Sequence, residues 1–369
     1  MSKRKVLFVL WGGIKYDGRV QKEIRSLINA GFHVVLLLSN FGDDNISNYD
    51  YEIIDLKTKS YRNPIRNIFL YNTFYKKAIP YINKIQPDII HCNDLNTLYL
   101  GMYFKKKNPA KKVVYDAHEL YPESQKDFIR RTLWTIKEKI YIKYCDNLIV
   151  PEENRGKFIQ KKYSLKNDFF LIPNYPYNND ESINKNYLEE LFPESIGKKK
   201  VFYIGGIGKT RSISEILYSI NKLDNKFCFI VIGPFDKGYR KEFDEIVNKN
   251  QLKERIFLGN PVPNNMVLKL IASADIGILF YRKNNLNNYY CAPNKLYEFL
   301  LFNKPVVTNN YPGLKKIVEE KNKGVCINNL NPDTIAQSIE QASKLIILKE
   351  TDKFTWNSIE DKFISIYAK

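Results

Sequence analysis

Short runs rich in Val, Ile and Leu alternate with stretches of helical period along most of the chain, and that alternation limits the fold more than any other feature. In the first half the runs are Val6 to Leu10, His33 to Leu38, Asp88 to Cys92, Val113 to Asp116 and Asn147 to Val150. A second series holds Val201 to Ile204, Cys228 to Ile232, Arg255 to Leu258, Asp275 to Phe280, Pro305 to Thr308 and Val325 to Ile327. Strands separated by helices pair in parallel, so each series predicts a doubly wound α/β sheet. The first connection shows the pattern: Val20, Ile24, Leu27 and Ile28 recur at helical spacing, Asp17 can cap the helix and Gly31 can stop it.

A chain of 369 residues suits two domains rather than one core. The Pro-, Asn- and charge-rich segment "PNYPYNNDESINKNYLEELFPESIGKKK" places a linker over 173–200, between a first domain at 1–172 and a second at 201–350. Over 351–369, Phe354, Ile359, Phe363, Ile364 and Ile366 predict a final helix covering a domain face. Composition is 44% hydrophobic and 27% charged, with no apolar window of about 18 residues to span a bilayer. The basic start resembles a signal peptide, but its apolar run breaks at Gly12 and Gly13, as a first strand would. Five dispersed cysteines without a C-x-x-C pair suggest a reducing, cytoplasmic setting. A net charge of +18 favours anionic partners.

Both series open on a strand running into glycines, "FVLWGGIKYDGRV" and "VFYIGGIGKTRSI". Glycine there lets backbone amides approach a phosphate, although either pair alone reads more readily as a turn. Lys209 and Arg211 beside Gly205 and Gly206 add positive charge. In "CAPNKLYEFLLFNKPVV" the acid Glu298 stands among apolar residues and needs a partner. In a helix from Asn294, residues Asn294, Lys295 and Glu298 share a face, so a nucleotide diphosphate could bind at the helix start and give its ribose hydroxyls to Glu298. The alternative partner is a basic residue of the same domain. "YDAHELYPE" gathers Asp116, His118, Glu119 and Glu123 at a strand's carboxyl end, where α/β sites are built. With His91 and His33 distant in sequence, a zinc reading of these residues is weak. No serine elbow or Cys–His pair suggests a covalent nucleophile.

These motifs, with "ADIGILFY" and "PNKLYEFLLFNKPVV" followed by "GV", stand in an order that resembles the GT-B glycosyltransferases, and within them the retaining family 4. The resemblance spans nearly the whole chain. It implies two Rossmann-like domains facing a cleft, a C-terminal helix crossing back to the first, and transfer of the hexosyltransferase type. The donor would be a nucleotide sugar, UDP-linked by preference, and the acceptor a glycan or lipid-linked sugar of surface polysaccharide or glycolipid synthesis in bacteria. It implies catalytic roles for His118, Arg211 and Lys209. The implied donor-binding set is Gly12, Gly13, Gly205, Gly206, Tyr290, Asn294, Lys295, Leu296 and Glu298. Glu298 matches the second acid of the family's E-x7-E motif, and Tyr290 replaces the first, which puts the sugar in doubt. The departing phosphate would take the acceptor's proton, so neither cofactor nor metal is expected.

An epimerase or hydrolase of the same fold is the nearer alternative. A nucleic-acid-binding protein is the more distant one, but no recognised module supports it and nucleic acid is not an expected partner. A dehydrogenase would need G-x-G-x-x-G, which "WGGIKYDG" lacks. Two basic-aromatic stretches, 61–84 and 124–145, suggest an anionic membrane surface as a further partner and a peripheral position on the inner face of the plasma membrane.

Overall fold

The computed structural model describes residues 3–15, 17–40, 49–58, 64–177, 186–348 and 353–368. The chain forms two units, one of Met1–Pro173 with Ile359–Lys369 and one of Asn174–Ser358.

The first unit is built on seven parallel strands, β1 (Lys5–Leu10), β2 (His33–Leu38), β3 (Glu52–Asp55), β4 (Ile89–Asn93), β5 (Lys112–Asp116), β6 (Asn147–Val150) and β7 (Phe169–Leu171). Their order across the sheet is β3-β2-β1-β4-β5-β6-β7. Connecting helices are α1 (Gly18–Asn29), α2 (Pro64–Ile85), α3 (Leu95–Lys107), α4 (Tyr121–Ser124), α5 (Phe128–Tyr141) and α6 (Glu153–Tyr163). Asp17 caps α1 by accepting from the Val20 amide, and Gly31 beyond its end takes φ +89°, a region that glycine reaches without strain.

The second unit repeats the scheme with β8 (Lys199–Ile204), β9 (Phe227–Ile232), β10 (Ile256–Gly259), β11 (Ile276–Leu279), β12 (Val306–Asn309) and β13 (Gly324–Ile327). Their order is β10-β9-β8-β11-β12-β13. Its helices are α7 (Tyr187–Leu191), α8 (Ile213–Ile220), α9 (Tyr239–Lys249), α10 (Asn264–Ala272), α11 (Leu286–Tyr289), α12 (Asn294–Leu301), α13 (Pro312–Val318) and α14 (Pro332–Ala342). One core packs α8, α9 and α14 on one face of the sheet, and another packs α10, α12 and α13 on the opposite face. In both sheets the strand order reverses between the first and fourth strands, β1 and β4 in one and β8 and β11 in the other. Open α/β sheets bind ligands at such switch points.

The stretch read as a linker is shorter than its composition suggests. Residues 186–200 belong to the second unit, because α7 buries Leu188 in the core that also holds Phe202, Ile230 and Leu270. The final helix, α15 (Glu360–Ala368), belongs to the first unit. Ser26 donates to Glu360 Oε1 at 2.6 Å, and Arg4 and Lys112 donate to the carbonyls of Tyr367 and Ile366 at 2.8 and 3.0 Å. These cations satisfy carbonyls at the helix end that have no partner within the helix.

No helix among the described residues is long and apolar enough to cross a membrane. The basic-aromatic stretches behave differently. Residues 61–63 lie outside the described residues, and on α2 the side chains of Tyr71, Phe74, Tyr75, Ala78 and Ile82 are buried, an ordinary core stripe. On α5 only Trp134 and Glu138 are buried, whereas Phe128 (80% exposed), Ile129 (71%), Leu133, Ile136 and Ile140 face outward.

Candidate active site

In the second unit a cavity of about 240 Å³ lies where β8 and β11 end, lined by Tyr203, Ile204, Gly205, Gly206, Arg211, Leu279, Phe280, Tyr281, Asn294 and Lys295. Gly205 takes φ +151°, and a Cβ added to Gly233, on the turn after β9, would sit 1.9 Å from the Gly205 carbonyl oxygen. Two turns therefore touch backbone to backbone, which only glycine permits. Arg211 stacks over the Tyr281 ring at 4.2 Å. That platform is held from both sides, since the Tyr281 amide donates to Asn309 Oδ1 at 2.8 Å and its carbonyl accepts from the Tyr311 hydroxyl at 2.6 Å. The first turn of α12 adds Asn294 and Lys295, with backbone amides that have no intrahelical partner. A guanidinium, an ammonium, two glycines and a helix start are groups of the kind that a diphosphate can bind.

The other candidates of this unit lie beside the cavity rather than on its lining. Glu298 is 15% exposed, and its Oε2 accepts from Lys295 Nζ at 2.8 Å. Of the two partners expected for it, a basic residue of its own unit is in place, one turn away. Leu296 is a core side chain whose amide donates to the Pro293 carbonyl, so it offers a donor no side-chain contact. Lys209 is 69% exposed and pairs with Glu242 at 2.8 Å. Tyr290 packs against the Tyr289 ring at 5.0 Å.

In the first unit Gly12 repeats the φ of +151° seen at Gly205, and Gly13 follows it, both after β1. His118 lies on the turn after β5, with Nε2 3.0 Å from Asp116 Oδ2 and Nδ1 3.8 Å from Asp94 Oδ2. Its amide donates to Asp94 Oδ1 at 3.0 Å and its carbonyl accepts from Arg155. Asp94 itself holds φ +61°, a strained position for a non-glycine residue. Asp116 is fully buried and takes two bonds from Arg19, Nε to Oδ2 at 2.9 Å and Nη2 to Oδ1 at 3.0 Å. Arg19 Nε also lies 3.0 Å from Glu23 Oε1. Burial favours the neutral form of Asp116, but Arg19 and His118 outweigh it and hold the carboxyl well below the usual range. Burial likewise opposes charge on His118, yet Asp116 and Asp94 raise it to about 10, so the ring is an imidazolium at neutral pH.

The family model for glycosyl transferases group 1 matches residues 189–358, and that for Glycosyltransferase Family 4 matches residues 19–175. The chain belongs to the family 4 (group 1) glycosyltransferases. No curated protein matches it. Among solved structures, sucrose-phosphate synthase from Thermosynechococcus elongatus superposes with a TM-score of 0.82 at 15% identity, covering 99% of this chain and 98% of that one. HepE of Anabaena in complex with UDP-glucose gives 0.73 at 14%, covering 99% of each chain. WaaG, a glycosyltransferase involved in lipopolysaccharide biosynthesis, gives 0.63 at 15%, covering 98% and 95%. At these identities the superpositions establish the GT-B fold.

Within this glycosyltransferase the sequence motifs pointed to His118 but missed Arg19, Glu23, His91 and Asp94. Sequence distance set His91 aside, yet β4 and β5 pair in parallel with Asn93 opposite Asp116, which brings His91 Nε2 within 3.9 Å of Asp116 Oδ2. Glu23, His91 and Asp116 present ligand atoms within 4.8 Å of one another, all buried. The Arg19 guanidinium stands against both carboxylates and already supplies their cation.

Proposed function

We propose that this glycosyltransferase takes a sugar from a nucleoside-diphosphate sugar, a UDP-sugar by preference, and transfers it with retention to a glycan or lipid-linked acceptor in bacterial surface polysaccharide or glycolipid synthesis. The observation that carries the reading is the diphosphate-shaped set of groups at the β8–β11 switch point, where Arg211 is held flat on a clamped tyrosine. The UDP-glucose complex of HepE, a protein of the same fold, supports the donor class. In the step, the bond between the anomeric carbon and the phosphate oxygen breaks, and the acceptor hydroxyl oxygen bonds that carbon on the same face. The hydroxyl proton passes to the departing diphosphate. Arg211, Lys295 and the start of α12 stabilise the negative charge that develops, which removes the need for a metal, and His118 orients the sugar.

The acceptor side rests on α5. Its exposed apolar residues at 129, 133, 136 and 140 form one stripe, with Arg130 and Lys137 along one border and Lys139 along the other. Basic residues beside outward apolar ones suit the surface of an anionic bilayer, where a lipid-linked acceptor resides. Thermal denaturation with UDP, GDP and ADP tests the donor. At about 100 times its dissociation constant the true nucleotide adds roughly 2.7 kcal/mol, so UDP should raise the midpoint most. Absence of any shift with all three at millimolar concentration would sink the donor assignment.

A further inference from the structure

A line of buried side chains runs from α15 to His118, and the reaction as proposed leaves it unused. Tyr367 is fully buried and its hydroxyl lies 2.5 Å from His91 Nδ1. The His91 ring stacks on Phe8, centroids 4.2 Å apart at 14°. Among the described residues its Nε2 faces oxygens: Asn93 Oδ1 at 3.2 Å, Glu23 Oε2 at 3.6 Å and Asp116 Oδ2 at 3.9 Å. The Asn93 amide cannot present its nitrogen instead, because Nδ2 donates to the Val9 carbonyl at 3.0 Å. Burial, which outweighs the pull of Asp116, takes His91 down to about 3, so the ring is neutral and carries one N–H. The nearest of these oxygens, Asn93 Oδ1, is fixed as an acceptor by the bond that Nδ2 makes to Val9. With acceptors on one side and a hydroxyl on the other, the ring hydrogen belongs on Nε2, and the Tyr367 hydroxyl donates to Nδ1.

We propose that Tyr367 is a positioning residue for the transfer reaction: its hydroxyl fixes the His91 tautomer, which turns Nε2–H toward Asp116, the carboxylate that holds His118. Without that hydroxyl His91 is free to move its hydrogen to Nδ1. A bare Nε2 lone pair then faces the oxygens of Asn93, Glu23 and Asp116, and the grip of Asp116 on His118 loosens. The kinetic consequence rests on the assignment of His118 to the transferred sugar, whereas the tautomer does not.

The test uses the full chain with ¹⁵N-labelled histidine. The unaltered protein should show His91 as the Nε2–H tautomer, and an Nδ1–H ring or an imidazolium overturns the proposal with no variant needed. Y367F should show a tautomer mixture. With UDP-glucose as donor and UDP release as readout, it should lower kcat about three- to tenfold, the scale of one hydrogen bond, and leave KM within about twofold. F363L, which loosens packing against the Tyr367 ring 5.2 Å away, should lower the melting temperature while leaving tautomer and kcat alone. H91Q offers an N–H in place of Nε2–H whatever stands at 367, so adding Y367F to it should cause no further loss. A Y367F protein with an unchanged tautomer, or an equal kcat loss in the H91Q background, reduces Tyr367 to a packing residue. If the unaltered enzyme releases no UDP, the donor assignment fails and the tautomer result still decides the proposal.

Discussion

The Lys295 ammonium lies 2.8 Å from a carboxylate oxygen of Glu298, one turn further along α12. The two partners divide between roles: Lys295 lines the cavity and Glu298 stands behind it. On the proposed donor assignment, a diphosphate entering the cavity competes for Lys295 and releases the Glu298 carboxylate to accept from ribose hydroxyls. E298Q should then weaken UDP binding about tenfold or more, the scale of a hydrogen bond to a charged group, with little change in melting temperature. Calorimetry of UDP against inorganic pyrophosphate checks the division of labour. E298Q should spare pyrophosphate and K295M should not.

Arg211 contributes through a plane as well as a charge. R211K keeps the charge but loses the stacking on Tyr281 and the fork that meets two phosphate oxygens. Both R211A and R211K should lose at least tenfold in UDP affinity while uridine affinity stays within about twofold. Full recovery by lysine would show that a point charge suffices.

The imidazolium of His118 makes stability depend on alkaline pH. Its folded pKa, raised to about 10, exceeds the ordinary value near 6.5 of an unfolded chain. The group therefore contributes stability in full below about 6.5 and loses it as pH rises through 10. Asp94, raised to about 7 by burial, completes most of its titration below that window. Urea midpoints should fall between pH 7.5 and 9.5, and H118Q should flatten that fall. A slope that is the same in both proteins would mean that His118 is neutral throughout.

The outward face of α5 separates charge from apolar contact. Arg131 pairs with buried Glu123, so its reversal would disturb the fold, whereas Lys139 is exposed and Lys137 lies over the Trp134 ring at 4.5 Å. In co-sedimentation with anionic liposomes, K137E/K139E should weaken binding and leave what remains less sensitive to salt. I129S/L133S/I136S should release protein even at low salt. If the unaltered protein stays in the supernatant with anionic vesicles, the acceptor is soluble rather than membrane-bound.

Long apolar strands were legible in the sequence because both faces of a parallel sheet are covered. The run read at His33 to Leu38 is β2 to the residue. Two edge strands were not: β3 offers only Ile53 and Ile54 between acids, and β7 has three residues. Gly205, Gly206, Arg211, Asn294 and Lys295 were legible because short motifs at strand ends deliver them to one crevice. Arg19 and Asp116 stand 97 positions apart, and no local pattern joins them. Glu298 was expected to be sealed in apolar surroundings, but Lys295 at i−3 supplies its partner, a spacing that the helix itself dictates.

The assignment of α15 to the first unit has a consequence for biosynthesis. A ribosome releases residues 360–368 only after all of 174–358 has emerged, yet Tyr367 and Phe363 are fully buried in the unit that begins with β1. Until then the nascent first unit exposes the apolar floor that these rings cover, and His91 lacks its hydroxyl donor. The second unit ends at Ser358, before α15 is made, so the later-begun unit is the first whose elements are all present.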